Sequence, residues 1–182
     1  MKENSVMVFR TSPPADNHKS LIPILRTKAG PGLRVVVLSD EWIWLPTHYN
    51  GKRTIICEDD ADCQWCAKQV QVWKGFIVVR EFAGDRHALL SITPNVVEAM
   101  KTGRDRYNGL VGLVVHFTRL GNEVNSPLAA NVQSRIASTV PISWRETLLH
   151  IQRVFKCGVE SVMLGAEPLK PVEWRNVGKM PE

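Results

Sequence analysis

Runs of β-branched and aromatic residues flank a single well-punctuated helix, and a histidine and three cysteines gather in the loop after the first run. Together these predict a mainly β fold with some α. The expected order is strand, metal loop, strand, strand, helix, strand, strand and a C-terminal helix. A five-stranded OB-type barrel places its helix between the third and fourth strands, as this order does. The expected organisation is an irregular basic arm over residues 1–32, a barrel over 33–135 with its metal loop at 46–72, and a C-terminal helix and tail over 136–182. At 182 residues the chain suits one substantial domain.

The elements follow in order. Residues 1–32 contain Pro13, Pro14, Pro23 and Pro31 with Gly30 and Gly32, so the arm is read as irregular. Its cations Lys19, Arg26 and Lys28 are available for phosphate contact or for plain solvation. The first strand is LRVVVLSDEWIWL, in which Trp42 and Trp44 alternate with Ile43 and Leu45 and so share one side of a sheet. WKGFIVVREF forms the second strand, AGDR a turn, and HALLSI the third. Thr93 as N-cap, Pro94 at the first helical position and Gly103 as stop bound a short helix.

GLVGLVVHFTRL is the longest strand. Val111, Leu113, Val115 and Phe117 point inward from it, and Gly112, His116 and Thr118 outward. Gly121-Asn122 turns the chain into a last strand, with Leu128, Ala130 and Val132 inward and Asn131 and Gln133 outward. Ser143 and Glu146 form a capping box for the final helix, whose apolar set is Leu148, Ile151 and Phe155 and whose stop is Gly158.

The metal loop reads THYNGKRTIICEDDADCQWCAK, a spacing of His-x8-Cys-x5-Cys-x2-Cys. Cys63 and Cys66 have the knuckle spacing that lets two thiolates grip one ion, and Cys57 and His48 supply the other two corners of a tetrahedron. Such a sulfur and nitrogen set suits Zn2+, and four protein ligands leave no open position, so the zinc is expected to be structural. Glu58 or Asp62 is the competing fourth ligand. Trp65, inside the knuckle, is expected to cover the site. A zinc nucleobase deaminase would need a His-x-Glu motif and a proline before its CxxC pair. Asn50 and Asp62 occupy those two positions, so that chemistry is excluded. Cys157, His18, His87 and His150 carry no pattern. No nucleophile elbow, phosphate loop or paired-carboxylate motif is present, and the chain is read as non-catalytic.

The formal charge is +5 and the pI about 9.2. Three thiolates on one zinc ion add a net charge of about −1 and leave the protein mildly basic, which suits a polyanion partner. No apolar run reaches membrane length and MKENSVMVFR lacks the apolar core of a signal peptide, so a cytoplasmic, membrane-free protein is expected.

A histidine, a cysteine and a CxxC pair inserted after the first strand of an OB-type barrel resemble the zinc-bearing single-stranded DNA-binding proteins of T4-type phages. The likeness covers about Leu33 to Gln133 and carries over only His48, Cys57, Cys63 and Cys66. It implies a zinc site propping an OB core whose cleft takes single-stranded DNA. The chain ends in VGKMPE, without the acidic tail common in that family, and shows no evident N-terminal segment for cooperative binding. The expectation is therefore a specialised relative in phage or mobile-element replication or recombination.

Single-strand binders combine cations with aromatic faces on which bases stack. The candidates are Trp42, Trp44, Tyr49, Trp73 and Phe76 for stacking, and Lys52, Arg53, Arg80, His116 and Arg119 for the strand's polar and phosphate groups. Core packing is the competing role for each aromatic, and salt bridges to EDDAD for Lys52 and Arg53. Arg34 and Lys74 lie nearby in sequence. The expected partner is single-stranded nucleic acid, most of all DNA. The alternative is a zinc-stabilised OB adaptor making protein–protein contacts in a replication, recombination or defence complex.

Overall fold

The computed structural model describes residues 6–11, 22–27, 30–57, 63–122, 126–157 and 159–165. These form β1 (Val6–Thr11), β2 (Ile24–Leu25), β3 (Leu33–Val37), β4 (Ile43–Tyr49), β5 (Thr54–Ile56), β6 (Val72–Glu81) and β7 (His87–Ile92). Then follow α1 (Pro94–Tyr107), β8 (Leu113–Arg119), β9 (Leu128–Arg135), α2 (Trp144–Phe155) and β10 (Val159–Leu164).

The longest strand, β6, organises the sheet. Along one edge its first half pairs with β4 and its last residues with β3, while β7 pairs along the other edge. The main path runs β1-β10-β4-β6-β3-β8-β9, with β5 on β4 and β2 on β7. The β2–β7 pairing is parallel and the rest are antiparallel, so the sheet is mixed. It has ten strands where the sequence reading counts five. Among the described residues it is open, because β7 gives its second edge to β2 and β9 ends the path.

The run Leu33–Leu45 is two strands rather than one, and Ser39 is the reason. Leu38 and Ser39 both donate their N–H to the Val78 carbonyl, at 2.9 and 3.2 Å, while the Val78 N–H turns to the Ser39 hydroxyl at 2.6 Å. A side chain here replaces one backbone partner, which breaks the ladder locally. The same hydroxyl lies 3.2 Å from that of Thr147, so this break is also where α2 is fastened to the sheet.

Both faces of the sheet are covered. On one, Val35, Val37, Trp42, Trp44, Ile77, Val79, Leu113, Val115 and Phe117 pack with Val96, Val97 and Met100 of α1. On the other, Leu38, Ile43, Leu45, Phe76, Val78 and Leu89 pack with Leu148 and Ile151 of α2. Alternate residues of β6 serve opposite cores, which is why FIVV reads as an unbroken apolar run.

The helix α1 does not stop at Gly103. It continues to Tyr107 and ends at Asn108, whose φ of 53° is left-handed and whose N–H reaches the Arg104 carbonyl. Gly103 is a close-approach point instead: a Cβ there would lie 2.7 Å from both Val132 Cγ atoms on β9. For α2 the capping box is present, with Glu146 N–H on the Ser143 hydroxyl at 3.3 Å and Ser143 N–H on the Glu146 carboxylate at 3.1 Å. Its C-cap is Lys156, at a φ of 54°; the expected stop, Gly158, lies outside the described residues.

Three strands lie where the sequence gives no periodic signal. Within the expected irregular arm, β1 pairs with β10 and β2 with β7. Within the expected tail, β10 inserts between β1 and β4, and the Trp44 indole N–H donates to the Gly165 carbonyl at 2.8 Å. On the long strand Leu113, Val115 and Phe117 point inward as expected, Val111 precedes the strand half-buried, and Gly112 is buried rather than outward. Among the described residues no helix is long and apolar enough to cross a membrane.

Gly103→Ala should lower stability. Alanine gains roughly 1 kcal/mol over glycine inside a helix, but overpacking against a stiff β-branched side chain costs about 1–3 kcal/mol. A urea-unfolding midpoint that rose in this variant would show that α1 and β9 have room between them.

Candidate metal centre

His48 comes from the last turns of β4's alternation, on the Trp44–Pro46 side, and sits opposite Ile55 of β5. The β4–β5 hairpin returns the chain so that the Cys57 N–H donates to the Pro46 carbonyl at 2.8 Å. This carries Cys57 back alongside His48, and both are buried. Cys63 and Cys66 approach from a tight turn, in which the Cys66 N–H donates to the Cys63 carbonyl at 3.1 Å. Lys68 and Gln69 both donate to the Trp65 carbonyl at 3.0 Å and complete the knuckle.

The four ligand atoms all lie within 4.8 Å of one another and could hold a metal ion. Cys57 Sγ is 3.7 Å from Cys63 Sγ and 3.5 Å from Cys66 Sγ. His48 Nε2 is 3.8 Å from Cys63 Sγ and 3.4 Å from Cys66 Sγ. A tetrahedral ion with ordinary thiolate and imidazole bonds would have edges of about 3.8 Å between sulfurs and about 3.6 Å from sulfur to nitrogen. Those four spacings are close to such edges, and the two remaining pairs lie within 4.8 Å. They are far too long for a disulfide, which needs about 2.05 Å, and none of the three cysteines is disulfide-bonded.

The electrostatics favour the same use. Burial holds the His48 imidazole below its usual pKa, so it is neutral and able to ligate. Its Nδ1 is buried without a hydrogen-bond partner, leaving Nε2 and the sulfurs as its polar company. Burial pushes the Cys63 thiol up, but the N–H groups of Cys66 and Trp65 and the neighbouring Cys66 and Cys57 thiols outweigh it and hold the thiol below its ordinary range.

Gln71 was not singled out by its sequence position, yet its side-chain amide donates to Cys57 Sγ at 3.2 Å and to Cys66 Sγ at 3.4 Å. Such donors neutralise part of the charge that three thiolates concentrate and fix their lone pairs. Nothing in the local spacing marks this glutamine; only the return of the chain toward β6 brings it to the site. Gln69 donates to the Tyr49 carbonyl at 3.0 Å and ties the knuckle to the tip of the hairpin. Trp65 is half-buried beside the knuckle with the Lys68 ammonium 5.5 Å from its ring centre. The competing ligands Glu58 and Asp62 lie outside the described residues.

The residues expected to meet a nucleic acid are not brought together as a group. Trp42, Trp44 and Phe76 are at most 1% exposed, so the stacking role read for them is corrected: none has a ring face open to a base. The alternation argument correctly put both tryptophans on one side of the sheet, but that side is core. Trp73 is half-buried against the same core. Arg80 pairs with Asp85 at 3.1 Å. Arg119 donates to the Thr27 and Ser126 carbonyls at 2.6 and 2.8 Å and so holds two loops. His116 Nε2 lies 3.0 Å from the Pro31 carbonyl.

Tyr49, Lys52 and Arg53 remain together at the exposed tip of the β4–β5 hairpin. Tyr49 is 59% exposed. The Asn50 side chain accepts the N–H groups of Lys52 and Arg53 at 3.1 and 2.9 Å, and Gly51 turns the chain at a φ of 85°. Among the described residues neither cation has an ion-pair partner.

Two variants test the centre. Cys63→Ser should reduce bound metal, measured per chain after gel filtration, to well below that of the wild type. Gln71→Leu should keep the fold but weaken metal retention against a competing chelator by about 10–100-fold. Equal retention would remove Gln71 from the site.

No family model, curated protein or solved structure matches the chain.

Proposed function

We propose that the protein is a non-catalytic, zinc-stabilised binder of single-stranded nucleic acid, and that the metal-braced β4–β5 hairpin is its contact edge. The observation that carries this reading is the exposed Tyr49 ring beside Lys52 and Arg53, two cations without carboxylate partners among the described residues. An open aromatic face next to unpaired cations is the combination that sequence-tolerant strand binding requires.

Zinc is the metal that three thiolates and one imidazole in tetrahedral array suit best. With four protein ligands the shell is full, no position is left for a reactive water, and the ion's task is to hold the loop. The strand order supports an OB-type reading. Taken together, β3 and β4 correspond to the first strand, β6 and β7 to the next two, α1 to the helix, and β8 and β9 to the last two. The zinc loop then occupies the connection after the first strand, a usual place for ligand contacts in that fold.

One observation favours the adaptor instead. The outer face of the second and third OB strands, where bases would lie, is here covered by α2 through Phe76, Val78 and Leu89. A surface protected in this way is unavailable to a strand, and the remaining surface would then serve protein contacts.

Fluorescence anisotropy of labelled single-stranded and duplex DNA, titrated with zinc-loaded protein at two salt concentrations, separates the readings. Preferential, salt-sensitive binding of the single strand is expected. Tyr49→Ala should then weaken binding by about 1–3 kcal/mol, the worth of one base stack. No anisotropy change at low salt, with zinc present, would sink the proposal and leave the adaptor.

A further inference from the structure

On the face of the hairpin away from the metal, Tyr49 and Thr54 are directly paired across β4 and β5. Lys74 of β6 stands opposite Leu45, and its ammonium donates to the Thr54 hydroxyl at 2.7 Å. To reach it the side chain crosses β4 over Thr47, which is only 1% exposed and whose own hydroxyl is committed to the Val72 carbonyl. Lys74 is half-buried, and its one hydrogen-bond partner among the described residues is a neutral hydroxyl. Burial first, and then the positive charge of Arg26, holds its pKa below the usual lysine range.

Arg26 is not there by accident of a loose arm. It directly follows β2, which is hydrogen-bonded to β7, and the next residue, Thr27, is anchored through its carbonyl by Arg119. Arg26 itself is exposed. The ion pairs of the described residues, Arg80–Asp85, Arg86–Glu81, Lys101–Glu98 and Arg104–Asp105, involve neither cation. A half-desolvated ammonium in the field of a second positive charge, with no carboxylate partner among the described residues, opposes folding unless an anion joins it.

We infer that Lys74 and Thr54 form a phosphate subsite that takes one phosphodiester of a single strand while a neighbouring base stacks on Tyr49, an assignment that rests on the nucleic-acid function proposed above. The ammonium supplies charge, and the Thr54 hydroxyl that accepts from it sets its direction. The phosphate supplies the compensation that no carboxylate of the described residues gives. The subsite also gives the strand a direction across the hairpin, from the Lys52–Arg53 tip toward β6.

The test uses full-length, zinc-loaded protein and an oligothymidylate, with affinity measured over a range of salt. Each phosphate contact to a single strand contributes about 0.7 to the slope of log affinity against log salt. Lys74→Gln should lower the slope by about that amount, and Lys74→Arg should restore it. If the wild type binds and Lys74→Gln keeps the full slope, the subsite is overturned while the function stands. If the wild type binds no oligothymidylate, the function fails, and the Lys74 side-chain resonance titrated with inorganic pyrophosphate decides the subsite alone. A saturable shift would retain it for a free phosphate ligand; an unmoved resonance would discard it. That titration needs no variant, so it also decides the matter if Lys74→Gln does not fold.

Discussion

Burial of β6 on both faces and both edges is the constraint on which the rest of the structure depends. Its residues from Gly75 to Val79 are within the core, alternating between the α1 side and the α2 side. Each buried aliphatic or aromatic side chain contributes about 1.5–3 kcal/mol relative to exposure, and here neighbouring residues contribute to separate cores. The two cores are therefore coupled through one strand. The break at Ser39 follows from the same arrangement. The first strand must bend to keep pairing with a twisted β6, and the serine hydroxyl satisfies Val78 N–H where the ladder opens while touching Thr147 of α2.

Past Thr47 this support ends. Tyr49, Val70 and Val72 are each more than half exposed, so among the described residues no apolar core lies under the outer hairpin or the chain returning to β6. What holds that region is polar and local: the Asn50 turn, the Gln69 bond to Tyr49 and the cluster of three cysteines and one histidine. Hydrogen bonds of this kind contribute only about 0.5–1.5 kcal/mol each net. A tetrahedral ion bridging β4, the end of β5 and the knuckle would supply a cross-link of a different order, because metal binding there would also be folding. The cluster is placed where the hydrophobic contribution runs out.

How much of this could be read in advance depended on whether the signal was local. The gathering of His48 with Cys57, Cys63 and Cys66 was legible because thiolates at knuckle spacing have few other uses in a polar loop. The third strand, HALLSI, was legible to the residue because AGDR marks its start and Thr93-Pro94 its end. The strands β1, β2 and β10 were not, since they exist through partners far along the chain, and β2 offers only two residues. Gly103 misled because a glycine near a helix end signals termination by default, and its actual reason, the approach of Val132, belongs to tertiary packing. Trp42, Trp44 and Phe76 misled differently. Alternation says which residues share a face, but only the placement of α1 and α2 says that both faces are covered.

That two-sided covering narrows where a ligand can lie. The histidine and cysteine cluster lies on the face of β4 that carries Trp44, Pro46 and His48, while Tyr49, Thr54 and Lys74 lie on the opposite face. The centre of that opposite face is closed by α2, whose Phe155 packs edge-on against Phe76 with ring centres 5.6 Å apart. Its hairpin end is open at Tyr49, and this end carries cations without carboxylate partners among the described residues. In the proposed reading the zinc ion therefore never meets the strand. It acts through the backbone, by fixing the twist of a hairpin that lacks a core and thereby the spacing between the Tyr49 ring and the Lys74 ammonium on the far side. Loss of the metal would then weaken binding without removing any contacting group, because an aromatic face and a cation bind one strand together only while their separation is held.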